Sequence, residues 1–268
     1  MTKTLLENID AIPALPESVQ AVERVYADPE STFQDMSKVI ESDPLLTANI
    51  LRIVNSPMYG LNSKLTSIST AISLLGKDAI RTFVLSSAVD SSFTIDLSPY
   101  KMTKENFTLA CETQLALMIN WLVRTESKSL PILAPAAFLV DLGRIIIAKT
   151  LIDDNKVDVI QNALDAGEDI DAAEKEACGA KTTDVTATLF HTWGLDPDIV
   201  HIIRYSEDPE GANPDEQRMA AQLKVVREAV MPNGEITEES LEIARDTIEE
   251  FELDLETFEK AVNKVLDN

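Results

Sequence analysis

The chain reads as an all-α protein, and three observations carry that reading. Apolar residues recur at spacings of three and four along nearly all of its 268 residues, the period of a helix with one buried side. Helix boundaries are written at both ends, with Ser42 or Asp43 ahead of Pro44 to open one helix and Gly167, Gly179 and Gly194 to close three others. No segment shows the alternation that a β-partner would need, so the one strand-like run, Ile145 to Ile147, has nothing to pair with.

Met1 to Pro16 reads as a short leading segment. Glu17 to Ala27 puts Val19, Val22, Val25 and Tyr26 on one helical side before Asp28 and Pro29 end it. Ser31 and Gln34 form a capping-box pattern, followed by the apolar face Phe33, Met36, Val39 and Ile40. The organising stretch is Ser42 to Gly60. Pro44 suits a first turn that needs no N–H, Leu46, Ile50, Ile53 and Val54 make the stripe, and Leu45 and Leu51 widen it. Asn55, Ser56 and Pro57 break the pattern, and Tyr59 with Gly60 turns the chain. After a loop from Leu61 to Thr66, Ser67 opens a helix with Ile68, Ala71, Ile72 and Leu75, stopped by Gly76, where left-handed geometry is cheap. Asp78 to Val89 follows, with Ile80, Phe83, Val84 and Ala88 turned inward.

Ser91 to Met102, with Pro99, reads as the connection between two helical halves and as a candidate hinge. Thr103 starts a long helix through Phe107, Cys111, Leu115, Met118, Ile119 and Leu122. Pro131 and Pro135 lead into APAAFLVDLGRIIIAKTLI, apolar nearly all round and therefore expected to be the most buried element. Lys156 to Ala166, Ile170 to Cys178, Thr182 to Trp193 and Pro197 to Tyr205 complete this half. From Ser206 onward eighteen Asp or Glu face six Lys or Arg, yet the stripes Met219, Leu223, Val226 and Val230, and Leu255, Phe258, Val262, Val265 and Leu266, predict packed helices rather than disorder. Leu241, Ile243, Ile248 and Phe251 form a looser stripe between them, and NPDEQ and MPNGE read as connections.

A formal charge of −23 argues against a nucleic-acid ligand, because a phosphate backbone is held by basic surface that displaces counterions. The acidity suits a soluble protein and names no partner. Cys111 and Cys178 form no CxxC pair, which predicts a reducing compartment. The N-terminus lacks the apolar core of a secretory signal, and charges interrupt every apolar stretch short of membrane length, so a cytoplasmic protein without membrane contact is expected.

The runs IPALPESVQAVERVYADPE, DPLLTANILRIVNSPMYG, ISTAISLLGKDAIRTFVL, LVDLGRIII and LFHTWGLDPDIVHIIRYSEDP resemble, in order, the signature of the HDOD family, the bacterial HD-related output domains. The resemblance runs from about Ile9 to Pro209, with Asp43, Pro44, Leu46, Asn55, Ser56, Gly60 and Gly76 as its signature positions. It implies an HD-like helical bundle with an N-terminal half over 1–98, an HD-like half over 99–210 and, outside the match, an acidic helical extension over 211–268. It also implies a relative of the HD-type phosphohydrolases that generally lacks the full metal set and acts as a regulatory, protein-binding module. By the same resemblance the metal-ligand positions fall at Cys111, at Val140 and Asp141, and near Thr182, with a further histidine word near Tyr205 and Ser206. Only Asp141 keeps a ligand type.

A hydrolytic metal needs several ligands and an open position for water, and one carboxylate beside a cysteine and a threonine cannot offset the dehydration of a divalent ion. No metal, cofactor or catalytic residue is therefore expected. Asp141 is expected as a buried acid held by helix ends or by a basic side chain, Arg144 or Arg81. His191 and His201 lie on neither ligand position and read as surface or helix-end residues, and Trp121 and Trp193 as core anchors. Burial should raise the Cys111 pKa and suppress its thiolate. Ser86 and Ser87 have no GxSxG context, and the single glycines build no phosphate cradle. The expected function is a non-catalytic signalling module whose signal arrives by association with a protein of unknown identity. The alternatives are a degenerate metal-dependent phosphodiesterase and a nucleotide-binding or cyclic-dinucleotide-binding effector using the pocket around Cys111, Asp141 and Thr182.

Overall fold

The computed structural model of the chain describes residues 1–55, 64–92 and 95–267. Among them the regular elements are all helices, with no strand. The first half holds α1 (Lys3–Asp10), α2 (Glu17–Ala27), α3 (Phe33–Glu41), α4 (Pro44–Val54) and α5 (Ile68–Ser92). A single 3-10 turn at Ser98–Tyr100 leads to α6 (Lys104–Leu122), α7 (Leu130–Leu139), α8 (Gly143–Asp153), α9 (Val157–Ala166), α10 (Ile170–Cys178), α11 (Thr182–Thr192) and α12 (Pro197–Tyr205). The acidic end folds as α13 (Pro214–Ala229), α14 (Glu238–Glu250) and α15 (Leu255–Leu266).

Helices α2 to α5 pack on one another around the stripe expected of α4. Leu46, Ile50, Ile53 and Val54 are all buried, while Asp43 caps the helix by accepting from the Leu45 and Leu46 N–H groups at 3.0 Å each. Ser18 donates to the other Asp43 oxygen at 2.7 Å, tying α2 to the start of α4. At its other end Asn55 clamps the returning chain: its amide donates to Leu65 O at 2.9 Å and its Oδ1 accepts from Leu65 N at 2.8 Å. Ser56, Pro57, Tyr59 and Gly60 lie outside the described residues, as does the side chain of Ala88. Gly76, at φ +86° and ψ 165°, interrupts the helical geometry within α5, so its first segment ends at the glycine as expected.

Several expectations are corrected. The leading segment contains α1, too short for periodicity to reveal, which buries Leu5 and Ile9 and sends Asn8 to Thr150 on α8 at 3.0 Å. The capping box of α3 is Thr32 with Asp35, not Ser31 with Gln34, because Ser31 turns back to Val25 O. Phe33, Leu45, Ile243, Leu255 and Leu266 are exposed rather than part of the core stripes. The NPDEQ connection opens α13 instead, with Pro214 in its first turn.

The long apolar run is two helices, α7 and α8, separated by a break at 140–142. Ser127–Asp153 is long and apolar enough by composition to cross a membrane, and 78% of its most apolar window is buried inside the fold. Just after the break, a Cβ at Gly143 would meet Thr182 O at 2.3 Å, so only glycine lets the start of α8 touch the start of α11. The acidic extension packs on the same body. Trp121 of α6 donates to Asp254 O at 3.3 Å and meets Phe258 edge to face at 5.2 Å, while α13 lies against α6, α7 and α12.

Candidate functional site

Asp141, two residues before Gly143, lies in the interior, where it is 4% exposed. Its Oδ1 accepts from Arg144 Nη2 at 3.1 Å and Arg227 Nε at 3.0 Å, and its Oδ2 accepts from Gln114 Nε2 at 3.0 Å. Burial by itself would raise its pKa, but the two guanidinium groups outweigh burial and hold the carboxyl well below the usual carboxylate range. Arg227 projects from α13 and gathers two more acids, Glu207 through Nη1 and Asp171 through Nη2 at 3.5 Å. One cation from the C-terminal extension thus joins the α7–α8 break, α10 and the segment after α12.

Beside it Glu174 is fully buried. Thr182 donates to it twice, from Oγ1 at 2.8 Å and from its backbone N at 2.6 Å, and Tyr100 donates its hydroxyl at 2.7 Å. Burial nevertheless pushes the Glu174 pKa up, and that of the Tyr100 phenol as well. The Arg144 guanidinium lies 5.5 Å from the Tyr100 ring centre, which couples the two clusters. The described part of the seam is anchored through the same residues: Leu97, Pro99 and Tyr100 are buried, and Gln161 donates to Ser98 O at 3.1 Å.

The other positions of interest are placed as follows. Val140 is buried, with its carbonyl accepting from Thr186 at 2.8 Å. Cys111 lines a separate apolar cavity of about 40 Å³ with Ser86, Phe107 and Phe138, and burial pushes its thiol pKa far up. Cys178 is raised to about 11 by burial. Arg81 does not reach Asp141. It forms a paired salt bridge with Glu23, at 2.8 Å from Nε and 2.7 Å from Nη2, and stacks over Tyr26. His191 and His201 are exposed, His201 lying 3.4 Å from Glu216. Trp121 is buried, whereas Trp193 is only partly so and donates to Pro13 O at 3.1 Å.

A divalent metal does not fit this arrangement. Both Asp141 oxygens are taken by donors, two guanidinium groups stand against them, and among the described residues no group of three or more His, Cys, Asp or Glu is placed to hold an ion. Sequence reasoning missed Gln114, Glu174 and above all Arg227. The signal for Arg227 was present: in the sequence it falls in line with Leu223 and Val230, and a cation inside an apolar stripe needs a buried partner.

An all-helical HD-like bundle with a buried acid at its α7–α8 break is the class these features define. The signature of the HDOD domain matches residues 12–209, and the chain belongs to that family. A virulence factor from Campylobacter jejuni is similar over 98% of this chain and 95% of its own, at 26% identity and a TM-score of 0.60. A Shewanella amazonensis protein named provisionally as a phosphohydrolase is similar over 98% and 94%, at 23% identity and a TM-score of 0.75, which shows a shared fold. An uncharacterized protein of Treponema pallidum is 27% identical over 86 residues, which span 32% of this chain and 17% of that relative.

Proposed function

We propose that the protein is a non-catalytic signalling module of a bacterial regulatory pathway, acting through contact with another protein. One observation carries the reading: the acid that would anchor an HD-type metal is held by two arginines and a glutamine, so the position is closed with positive charge. A hydrolytic metal needs several protein ligands besides an open position for its water, and a lone carboxylate already accepting from two guanidinium groups and an amide is a poor start for such a set. Membership of the HDOD family supports the same direction.

Metal analysis of the purified chain, combined with turnover of a model phosphodiester, tests it. The expected result is no stoichiometric metal and no turnover above background. Bound metal with hydrolysis that disappears in Asp141→Ala would overturn the reading. Affinity capture with the whole chain should then recover a protein partner, and nucleotide calorimetry should give no heat.

A further inference from the structure

Between the family-matched body and the C-terminal extension lies a half-open cavity of about 280 Å³. Its polar lining is unbalanced. Asp141, Asp169, Asp171, Glu207 and Glu228 stand against two cations, Arg144 and Arg227. Both cations are already engaged, by Asp141, by Glu207 and, at 3.5 Å, by Asp171. Asp169 is exposed and has no ion partner among the described residues; one of its oxygens accepts the Asp171 N–H at 2.9 Å as the cap of α10. Glu228 accepts from Thr247 at 2.7 Å and meets Lys224 only at 3.9 Å. The rest of the wall is apolar, from Met102, Leu164, Ile170 and Met231. That apolar character continues outside the cavity. Met231 is 40% exposed, and Leu109, 42% exposed, lies against Gly234 in the turn where Met231 O accepts the Gly234 N–H at 2.8 Å.

A neutral apolar occupant would cover carboxylates without pairing them, and an anion would add to the excess charge. Among the described residues no three ligands are placed to hold a bare metal ion. What suits the lining is positive charge on an apolar stem, the build of an arginine or lysine side chain. We propose that the cavity is a docking site for a basic segment of a partner protein, which lays one such side chain along Ile170 and Met231 with its head toward Asp169, and seats an apolar neighbour on Leu109. This deepens the reading of the chain as a protein-contact module and rests on it. The formal charge of −23 favours the same partner at longer range. Because Arg227, Glu228 and Met231 belong to the extension, the matched stretch without it lacks half of the site.

The test is calorimetry of the full chain at about 0.15 M salt, where attraction beyond about 8 Å is largely screened. The probe is a short acetylated, amidated peptide with arginines and leucines on one helical side, beside the same peptide with citrulline for every arginine. The arginine peptide should bind with a Kd below about 100 µM, and the citrulline peptide at least about tenfold more weakly. Asp169→Asn, which keeps the helix cap, should weaken the arginine peptide about tenfold without moving the melting midpoint. Glu242→Gln, which removes the same charge from an exposed position on α14, should leave binding unchanged. Equal loss in Glu242→Gln would reduce the attraction to overall charge, and equal binding of the citrulline peptide would reduce it to apolar contact. Spermidine binding as tightly as the peptide would make the cavity a polyamine site. Any of these overturns the proposal, as does a Kd above about 100 µM for the arginine peptide. The underlying reading fails separately: a partner captured by the whole chain whose affinity ignores Asp169→Asn sinks the site and spares the module, whereas a peptide that obeys both variants while no partner is captured spares the site and counts against the module.

Discussion

Helix α4 and the break between α7 and α8 are buried to similar depth by opposite means. In α4 the buried groups are Leu46, Ile50, Ile53 and Val54, and stability comes from apolar area withdrawn from water at about 25 cal/mol per Å². At the break and on the adjoining α10 the buried groups are Asp141, Arg144 and Glu174, whose withdrawal from water is unfavourable and is offset only while their partners are in place. An apolar face degrades in proportion to the methylenes removed. A charge cluster holds or fails as a unit.

That contrast is broken hardest at Arg227. Replacing it with Leu leaves Asp141, Asp171 and Glu207 without their shared cation and should cost about 3–5 kcal/mol in urea unfolding at neutral pH. The double substitution Asp141→Leu with Arg227→Leu should cost clearly less than the two single changes added together, and strict additivity would show that the pair is not coupled. Next comes Ile50→Ala, expected to cost about 2–5 kcal/mol as a cavity, with Ile50→Val costing about 0.5–1.5 kcal/mol. A graded pair of values there, beside an all-or-none response at Arg227, is what the contrast requires.

Acid sharpens the distinction. Because the folded-state pKa of Asp141 is depressed, its contribution is present above the unfolded value of about 3.9 and is lost as pH falls below that toward the folded value. Asp141→Asn should therefore be about 1.5–3 kcal/mol less stable than the native chain at pH 7, with the gap closing below about pH 4. Glu174 carries the opposite sign. Its folded pKa is raised, so its contribution is greatest below the unfolded value of about 4.3 and declines as pH rises through the folded one. Glu174→Gln should give a gap from the native chain that widens on acidification. The Ile50→Ala deficit should be indifferent to pH over the same range. Smallest of all, Leu45→Ala should stay within about 0.5 kcal/mol, since that side chain is 65% exposed although its neighbour Leu46 is buried.

The sequence was most legible where one local rule decides the outcome. Asp43 before Pro44, and the glycines at 167, 179 and 194 with positive φ, mark helix ends whatever the tertiary context. The stripe of α4 follows from period alone. Leu45 and Phe33 escaped because periodicity locates a stripe but not its edges, and which residue lies at the edge depends on the neighbouring helix. The split between α7 and α8 escaped because both are apolar all round, so periodicity carries no mark of the break, and the close approach of Gly143 to α11 is a tertiary contact that no local pattern records. At the site, Asp141 and its Arg144 partner three residues on were within reach of local reasoning. Gln114 and Arg227, 27 and 86 residues away, were not, and nor was the pairing of Arg81 with Glu23 across 58 residues.

Trp121 anchored on Asp254 and Phe258, together with Arg227 seated on Asp141, bears on how the chain can be shortened. The family signature ends at residue 209, which invites expression of the matched stretch by itself. A product cut there would expose an indole to solvent and take from a buried anion one of its two cations. Ageing, clumping or failure to accumulate in such a preparation would then report on where the scissors fell, and assays made on it would describe a different object.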